Sequence, residues 1–312
     1  MFRCNIFCFF EWFCYSFAIA TLPLYLIVLV ILFRNRDGQL NSAFFTFCVS
    51  IGVADVISIL HRSIFLRLPR IVLSGGSDGL FFETSLVVKQ QDWLATLGAA
   101  SGFSIYHFQV FGVFLLSVNR YVGVVHPLRY EMIWSQRVNR AMLFLQFFLT
   151  VLFVCPMVHP DFHSHFNDYF VFVYNTHWAA QYFFNLDTVL HVLLGPLLVV
   201  LYGVMFCRSA TQQQLNEQSR REIRLAITGA LISLLFLGLC MAALANAMGL
   251  HDFWLWQLYF GCLDLFSAIN PYLLIAFSTK IRQCLPFSVL HPGQSIKSGS
   301  SLFTKKVVIL KK

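Results

Sequence analysis

Long apolar stretches alternate with short polar segments along almost the whole chain. Seven stretches are long enough for a helix to cross a hydrocarbon core of about 30 Å. These spans are predicted at 12–33, 43–61, 93–120, 141–159, 182–207, 223–248 and 253–277. The runs are apolar on every face, which excludes transmembrane strands, and lipid leaves the helix as the way to satisfy backbone polar groups. The pattern therefore predicts an all-α membrane bundle within residues 1–287.

The segment after the seventh span differs in character. Residues 278–286 are predicted to form a short amphipathic helix on the membrane surface, with Ile281 and Leu285 inward and Lys280 and Arg282 outward. Cys284 would then be placed for palmitoylation, the alternative being an unmodified thiol. Residues 288–312 are rich in Ser and Lys and are predicted to be a disordered cytoplasmic tail.

Composition points to the same class of protein. Of the 312 residues, 58% are hydrophobic and only 12% are charged, whereas soluble domains carry about 25% charged residues. The net charge of +8 does not indicate a nucleic-acid partner, because the basic residues lie in short loops beside apolar spans. The nine cysteines form no CxxC pair, so neither a zinc site nor any other metal or cofactor is expected.

The distribution of positive charge predicts the orientation. Most of the 22 Lys and Arg residues fall in one set of loops and in the carboxyl-terminal tail. The opposite set holds Arg3, Arg62, Arg67, Arg70 and Lys89. Since basic loops stay in the cytosol, the amino terminus is predicted outside, and the carboxyl terminus and the Arg120 end of the third span inside.

A few polar residues interrupt the spans. Asp55 lies near the middle of the second span, and a carboxylate at that depth usually faces the bundle interior. It is predicted to form a polar hub with Asn270, with sodium as one candidate occupant; a protonated Asp55 in a local hydrogen bond is the alternative. Pro271, after Asn270, removes a backbone hydrogen bond from the seventh span.

A second polar group is predicted to line a ligand pocket between the outer helix halves. Asp187 and His191 are four residues apart and share a helical face, and His107 lies near mid-depth in the third span. The other candidates are Tyr106, Gln109 and Asp264, and Asp264 could instead join the hub. Each histidine has an alternative interpretation as a packing residue.

These residues carry a family resemblance. Asn119-Arg120-Tyr121 at the end of the third span, Pro196 in the fifth and Asn270-Pro271 in the seventh resemble the signatures of rhodopsin-like G-protein-coupled receptors. Leu40-Asn41-Ser42-Ala43-Phe44-Phe45 and the stretch 126–134, which begins His126-Pro127-Leu128, are more narrowly similar to nematode serpentine chemoreceptors of the Srg superfamily, class gamma or class V.

The resemblance implies a chemosensory receptor rather than an enzyme. It implies an extracellular small-molecule ligand, a heterotrimeric G protein as partner, and a multi-pass location in the plasma membrane, with a sensory cilium as one candidate site; homo- or hetero-oligomers stay open. Asn119, Arg120, Tyr121, Asn270 and Pro271 would form the switch. Asn119 replaces the family's usual acid, and we hypothesise that Glu222 pairs with Arg120 instead.

Two other functions compete with the receptor interpretation of the sequence. A ligand-gated channel or small-solute transporter would need a continuous polar path or paired broken helices, and the intramembrane acids are sparse. An intramembrane serine protease is suggested only by the stretch Ala99-Ala100-Ser101-Gly102. Small residues in such a row more often allow close helix packing.

Overall fold

The computed structural model describes residues 6–35, 42–68, 92–159, 162, 164–166, 172–174, 177–211, 230–232, 234–241 and 253–285. The helices are α1 (Ile6–Arg34), α2 (Ala43–Arg62), α3 (Asp92–Val125), α4 (Tyr130–Ile133), α5 (Gln136–Val154), α6 (His177–Thr211), α7 (230–232 and 234–241), α8 (Phe253–Ala268), α9 (Asn270–Phe277) and α10 (Thr279–Cys284). A π-helical turn, Ser63–Arg67, extends α2, and 3-10 turns occupy Pro127–Arg129 and Cys155–Val158.

Six helical segments are long and apolar enough to cross a membrane. They are Cys8–Arg34, Ala43–Arg67, Trp93–Val125, Gln136–Met157, Asn185–Arg208 and Leu255–Ala276. Each overlaps a predicted span, although α1 begins before residue 12 and the second segment continues past residue 61. The predicted span 223–248 is described only in part, as the helical residues of α7. The predicted tail, 288–312, lies outside the described residues.

A small β-hairpin lies in the polar connection between α5 and α6. Ser164–Phe166 (β1) pairs antiparallel with Phe172–Tyr174 (β2), with His165 opposite Val173. The sequence pattern does not predict these strands, because three residues are too few for a visible alternation. Their pairing satisfies backbone groups of the connection, and β1 packs beside α3.

α3 lies at the centre of the bundle. It packs against α2, α5 and α6, while α1 packs along α8 and α2. α5 is peripheral and exposes Phe144, Phe147 and Phe148 by 50% or more. Such an aromatic surface suits contact with lipid chains rather than water.

Gly112 sets the close approach of α3 to its neighbours. A Cβ at this position would lie 2.7 Å from both Gln146 Nε2 and Ile51 Cγ1. We therefore expect Gly112→Ala to lower the unfolding free energy by about 1–3 kcal/mol through overpacking. Gly203→Ala is the matched control, because its Cβ would meet nothing within 4 Å, and it should be neutral or slightly stabilising. Thermal unfolding in detergent compares them; equal midpoints would contradict this view of the α3 packing.

Candidate functional site

Four charged side chains meet at the end of the bundle where α1 begins and α2 ends, here called the amino-terminal face. Arg67 Nη1 donates to Glu11 Oε1, and its Nη2 donates to Asp264 Oδ2 at 2.9 Å. Arg62 Nε donates to the other oxygen of Asp264 at 2.7 Å. All four are buried. This ion cluster, Glu11–Arg67–Asp264–Arg62, joins α1, the α2 extension and α8.

Aromatic rings enclose the Arg67 guanidinium. Its central carbon lies 5.6 Å from the Trp12 ring centroid, 5.3 Å from that of Tyr15 and 5.9 Å from that of Phe260. A guanidinium is weakly hydrated and stacks on aromatic faces, so arginine suits this buried position better than lysine would.

Arg62 connects the ion cluster to the middle of the bundle. Its Nη1 donates to Ser58 Oγ at 2.5 Å, and its Nη2 donates to the Leu263 carbonyl at 3.2 Å and to Ser267 Oγ at 3.0 Å. Ser267 Oγ in turn accepts from Gln109 Nε2 at 3.1 Å. The serine hydroxyl therefore lies between a residue of the ion cluster and a residue of α3.

Asp55 is the next junction, and it is fully buried. Gln109 Nε2 donates to its Oδ1 at 2.5 Å, while Tyr25 Oη and Asn270 Nδ2, the latter at 2.6 Å, donate to its Oδ2. Donors from α1, α3 and α9 thus meet one carboxyl group of α2. Together with Ser267, the described residues form an unbroken polar chain from Glu11 to Asn270.

Asn270 lies at a break in the helix that contains it. The helix is interrupted at Ile269, between α8 and α9, with Pro271 in the first turn of α9. Proline has no backbone N–H, so the regular ladder cannot run through it.

A second polar cluster joins α3 to α6. Tyr106 Oη contacts His191 Nε2, and His191 Nδ1 lies 2.6 Å from the Asp187 carbonyl oxygen and 3.2 Å from Asp187 Oδ1. His107 Nε2 faces Asp187 Oδ1 at 3.9 Å. Aromatic rings pack around the two imidazoles. The ring centroid of Phe236 lies 4.9 Å from that of His191, and the ring centroid of Phe153 lies 6.1 Å from that of His107.

The same two helices are joined again nearer Arg120. Ser117 Oγ lies 2.9 Å from Tyr202 Oη. Both pairs, Tyr106 with His191 and Ser117 with Tyr202, are separated by 85 residues in sequence. α3 and α6 therefore run in the same direction and keep register over three helical turns, about 16 Å.

Arg120 lies at the opposite end of the bundle, here called the Arg120 face. It is 7% exposed, and its guanidinium carbon lies 3.2 Å from the Phe44 ring centroid, in cation–π contact. A cavity of about 30 Å³ separates it from the hub, with Tyr25, Arg120, Tyr202 and Asn270 among its lining residues. A water needs about 10–15 Å³ and polar partners, so the cavity is large enough for a water between Asn270 and Arg120.

The neighbours of Arg120 have separate contacts. Asn119 is buried, and its Nδ2 donates to Tyr130 Oη at 3.0 Å, which ties α3 to α4. Tyr121 is half-buried and its ring lies 6.3 Å from that of His126. Glu222, the hypothesised partner of Arg120, lies outside the described residues.

The structure divides the six predicted pocket residues among three clusters. Tyr106, His107, Asp187 and His191 lie together. Gln109 instead donates to Asp55, and Asp264 accepts from two arginines of the ion cluster. The physical reason is that Asp55 and the arginines offer these two residues buried polar partners.

Cys284 is half-buried and packs against the main hydrophobic core at the end of α10. In the same helix Ile281 is fully buried and Arg282 is exposed. Whether the thiol carries a palmitoyl group stays a prediction.

Sequence reasoning assigned Arg62 and Arg67 to a loop and placed Glu11 outside the first span. One signal in the sequence was available, since Asp55, Ser58 and Arg62 recur at helical spacing and share one face of α2. Tyr25 gave no such signal, because a tyrosine in an apolar span is usual.

Comparison with known proteins adds independent information. Residues 14–289 match the sequence model of the family described as serpentine type 7TM GPCR chemoreceptor Srv. The chain is also similar to serpentine receptor class V-1 of Caenorhabditis elegans, with 25% identity over 301 residues that cover 92% of this chain and 93% of that protein.

Proposed function

This chain belongs to the Srv family of serpentine seven-transmembrane chemoreceptors, and from that premise we propose that it binds a small extracellular ligand and activates a heterotrimeric G protein. Membership confirms the predicted resemblance and narrows it to class V. It also confirms the all-α, multi-pass membrane fold and the assignment to receptors rather than enzymes. The ligand, the G protein and the location in the plasma membrane are parts of the proposal.

The proposed orientation has the amino-terminal face outside. Arg62 and Arg67 were counted with the outer loops, yet both are buried in the ion cluster. Only Arg3, Arg70 and Lys89 then remain as basic residues of the connections at that face. The excess of positive charge at the Arg120 face is therefore larger than the sequence alone suggested, which supports a cytosolic Arg120 face.

The observation that carries the proposal is that one helix contributes to two polar clusters and to the Arg120 face. α3 contributes Tyr106 to the cluster with α6, Gln109 to the hub and Arg120 to the opposite face. Tyr106 and Arg120 are about 21 Å apart along the helix axis. A ligand that displaces the Tyr106 cluster would move or rotate α3, and the same motion would change the contacts at the hub and at Arg120.

Such a ligand acts only through its differential affinity for the two arrangements of the bundle. A change from 1:99 to 99:1 needs about 5.5 kcal/mol. The buried polar chain supplies contacts that can differ between two arrangements, since packed interfaces are bistable rather than continuously deformable. In our proposal the Arg120 face then opens to the G protein.

The test measures two responses in the same cells. Cells that express the full chain would be exposed to a panel of small water-soluble and volatile compounds, while G-protein activation and membrane current are recorded. We expect compounds that activate G proteins in expressing cells but not in untransfected cells. A ligand-gated current in cells that lack G proteins would favour the channel and contradict the proposal.

A further inference from the structure

The polar cluster between α3 and α6 has a defined pattern of donors and acceptors. His107 Nδ1 lies 2.9 Å from the Phe103 carbonyl oxygen, and His191 Nδ1 lies 2.6 Å from the Asp187 carbonyl oxygen. A carbonyl oxygen can only accept, so each Nδ1 carries a proton. In the neutral rings both Nε2 atoms are therefore acceptors.

One of these acceptors has its donor. Tyr106 Oη contacts His191 Nε2, and the hydroxyl donates because the nitrogen holds a lone pair. The other acceptor, His107 Nε2, faces a carboxylate oxygen, Asp187 Oδ1, at 3.9 Å. Two acceptors thus face each other, with no proton between them and at a separation longer than a hydrogen bond.

Asp187 Oδ1 is itself buried and accepts no hydrogen bond from the described residues. His191 Nδ1 is 3.2 Å away, but its proton is directed to the closer carbonyl oxygen. A buried carboxylate oxygen without a donor is costly. The gap between Asp187 and His107 is therefore a place where a donor from outside the protein would be stabilised.

The surroundings favour a positively charged donor. Besides the carboxylate, aromatic rings pack around the site. The ring centroids of Phe103 and Tyr106 lie 4.0 Å and 5.3 Å from that of His107. Aromatic faces attract cations. A metal ion fits less well, because the described residues contain no group of three or more metal-ligating side chains.

Building on the proposed function, we infer that this receptor recognises small amines in their ammonium form. The ammonium N–H groups donate to Asp187 Oδ1 and His107 Nε2, and the alkyl or aryl part lies among the aromatic residues. The position of Tyr106 in the same cluster gives such a ligand a direct contact with α3.

The test measures binding without a G protein. Purified full-length receptor in nanodiscs would be melted with n-butylammonium, n-butanol or butyrate, since a ligand that binds the folded state raises the unfolding temperature. We expect n-butylammonium alone to raise it. Asp187→Asn keeps the size of the side chain and removes its charge, so this variant should fold and bind n-butylammonium about tenfold or more weakly.

Two further variants complete the design. Glu131→Gln removes an exposed carboxylate near the Arg120 face and should leave the n-butylammonium response unchanged. His107→Phe keeps an aromatic ring and removes the second acceptor, so it should weaken binding about threefold. This variant also covers the case in which Asp187→Asn does not fold.

Each outcome bears on one proposal. Equal shifts with n-butanol, an unchanged response in Asp187→Asn, or no shift with n-butylammonium would overturn the inference. An n-butylammonium shift without G-protein activation would preserve the binding site and count against the proposed function. G-protein activation by neutral compounds alone would support the proposed function and count against the amine-binding site.

Discussion

Replacing Arg67 with methionine is expected to lower the unfolding free energy by about 3–5 kcal/mol, because Glu11 and Asp264 would lose a buried cationic partner. Methionine retains most of the aliphatic volume among Trp12 and Tyr15, so the effect comes mainly from the charge. Chemical or thermal unfolding of the purified receptor in detergent measures the difference. Arg140→Met, at an exposed arginine, is the matched control and should stay within about 0.5 kcal/mol of wild type.

A second variant separates charge from packing. Adding Glu11→Gln to Arg67→Met removes one of the two carboxylates that lost Arg67 as a partner, so the double variant should recover part of the lost stability. Strict additivity of the two losses would show that Glu11 and Arg67 act independently. It would contradict the ion cluster as a single electrostatic unit.

Arg120→Ala is expected to weaken capture of the nucleotide-free G protein by about tenfold or more. The guanidinium is 7% exposed, packs on Phe44 and lines the cavity below the hub. Arginine is common among the few residues that contribute most of the binding energy of an interface. Arg120 would become such a residue once the Arg120 face opens to the G protein. The affinity of receptor nanodiscs for immobilised G protein measures the effect.

The control for this variant lies on the same face. Arg137 is exposed at the start of α5, and rim charges contribute little to affinity, so Arg137→Ala should change capture by less than about threefold. An unfolding temperature for each variant shows whether the bundle is intact. Equal losses in the two folded variants would mean that general positive charge, rather than Arg120, attracts the G protein.

The sequence was sufficient for the elements that depend on local pattern. Apolar runs of membrane length predicted the helical segments, and the position of Arg120 followed from where the third run ends. Asn270 was expected beside Asp55, and the two are in hydrogen-bond contact. A buried carboxylate needs donors, and few polar residues of the predicted spans could serve.

The pattern of apolar and polar positions did not predict the ion cluster. An arginine directly after an apolar run usually belongs to an interface or loop. Arg62 becomes an interior residue only through Asp264, which is 202 residues away in sequence, and Arg67 only because α2 continues through a π-helical turn. Local spacing places Arg62 on the same face of α2 as Asp55 and Ser58. It does not identify the tertiary partners that make both arginines interior residues.

For a similar reason, the structure brings together only four of the six candidate pocket residues. Asp187 and His191 are related by helical spacing, so their shared face could be expected. Gln109 lies one helical turn from Tyr106, yet it belongs to the hub because Asp55 and Ser267 offer it two acceptors. The rotation of α3 that separates these neighbours is set by packing against α2, α5 and α6.

GDP release from the G protein tests most directly the claim that this receptor activates a G protein through Arg120. Wild-type receptor and Arg120→Ala, each in nanodiscs, would be mixed with a purified heterotrimeric G protein, with and without n-butylammonium and the compound panel used in the cell experiment. We predict that wild type accelerates GDP release about tenfold or more over empty nanodiscs, and that Arg120→Ala falls close to the empty-disc rate. Release at the empty-disc rate with wild type under every condition, or equal acceleration by both proteins, would contradict the account.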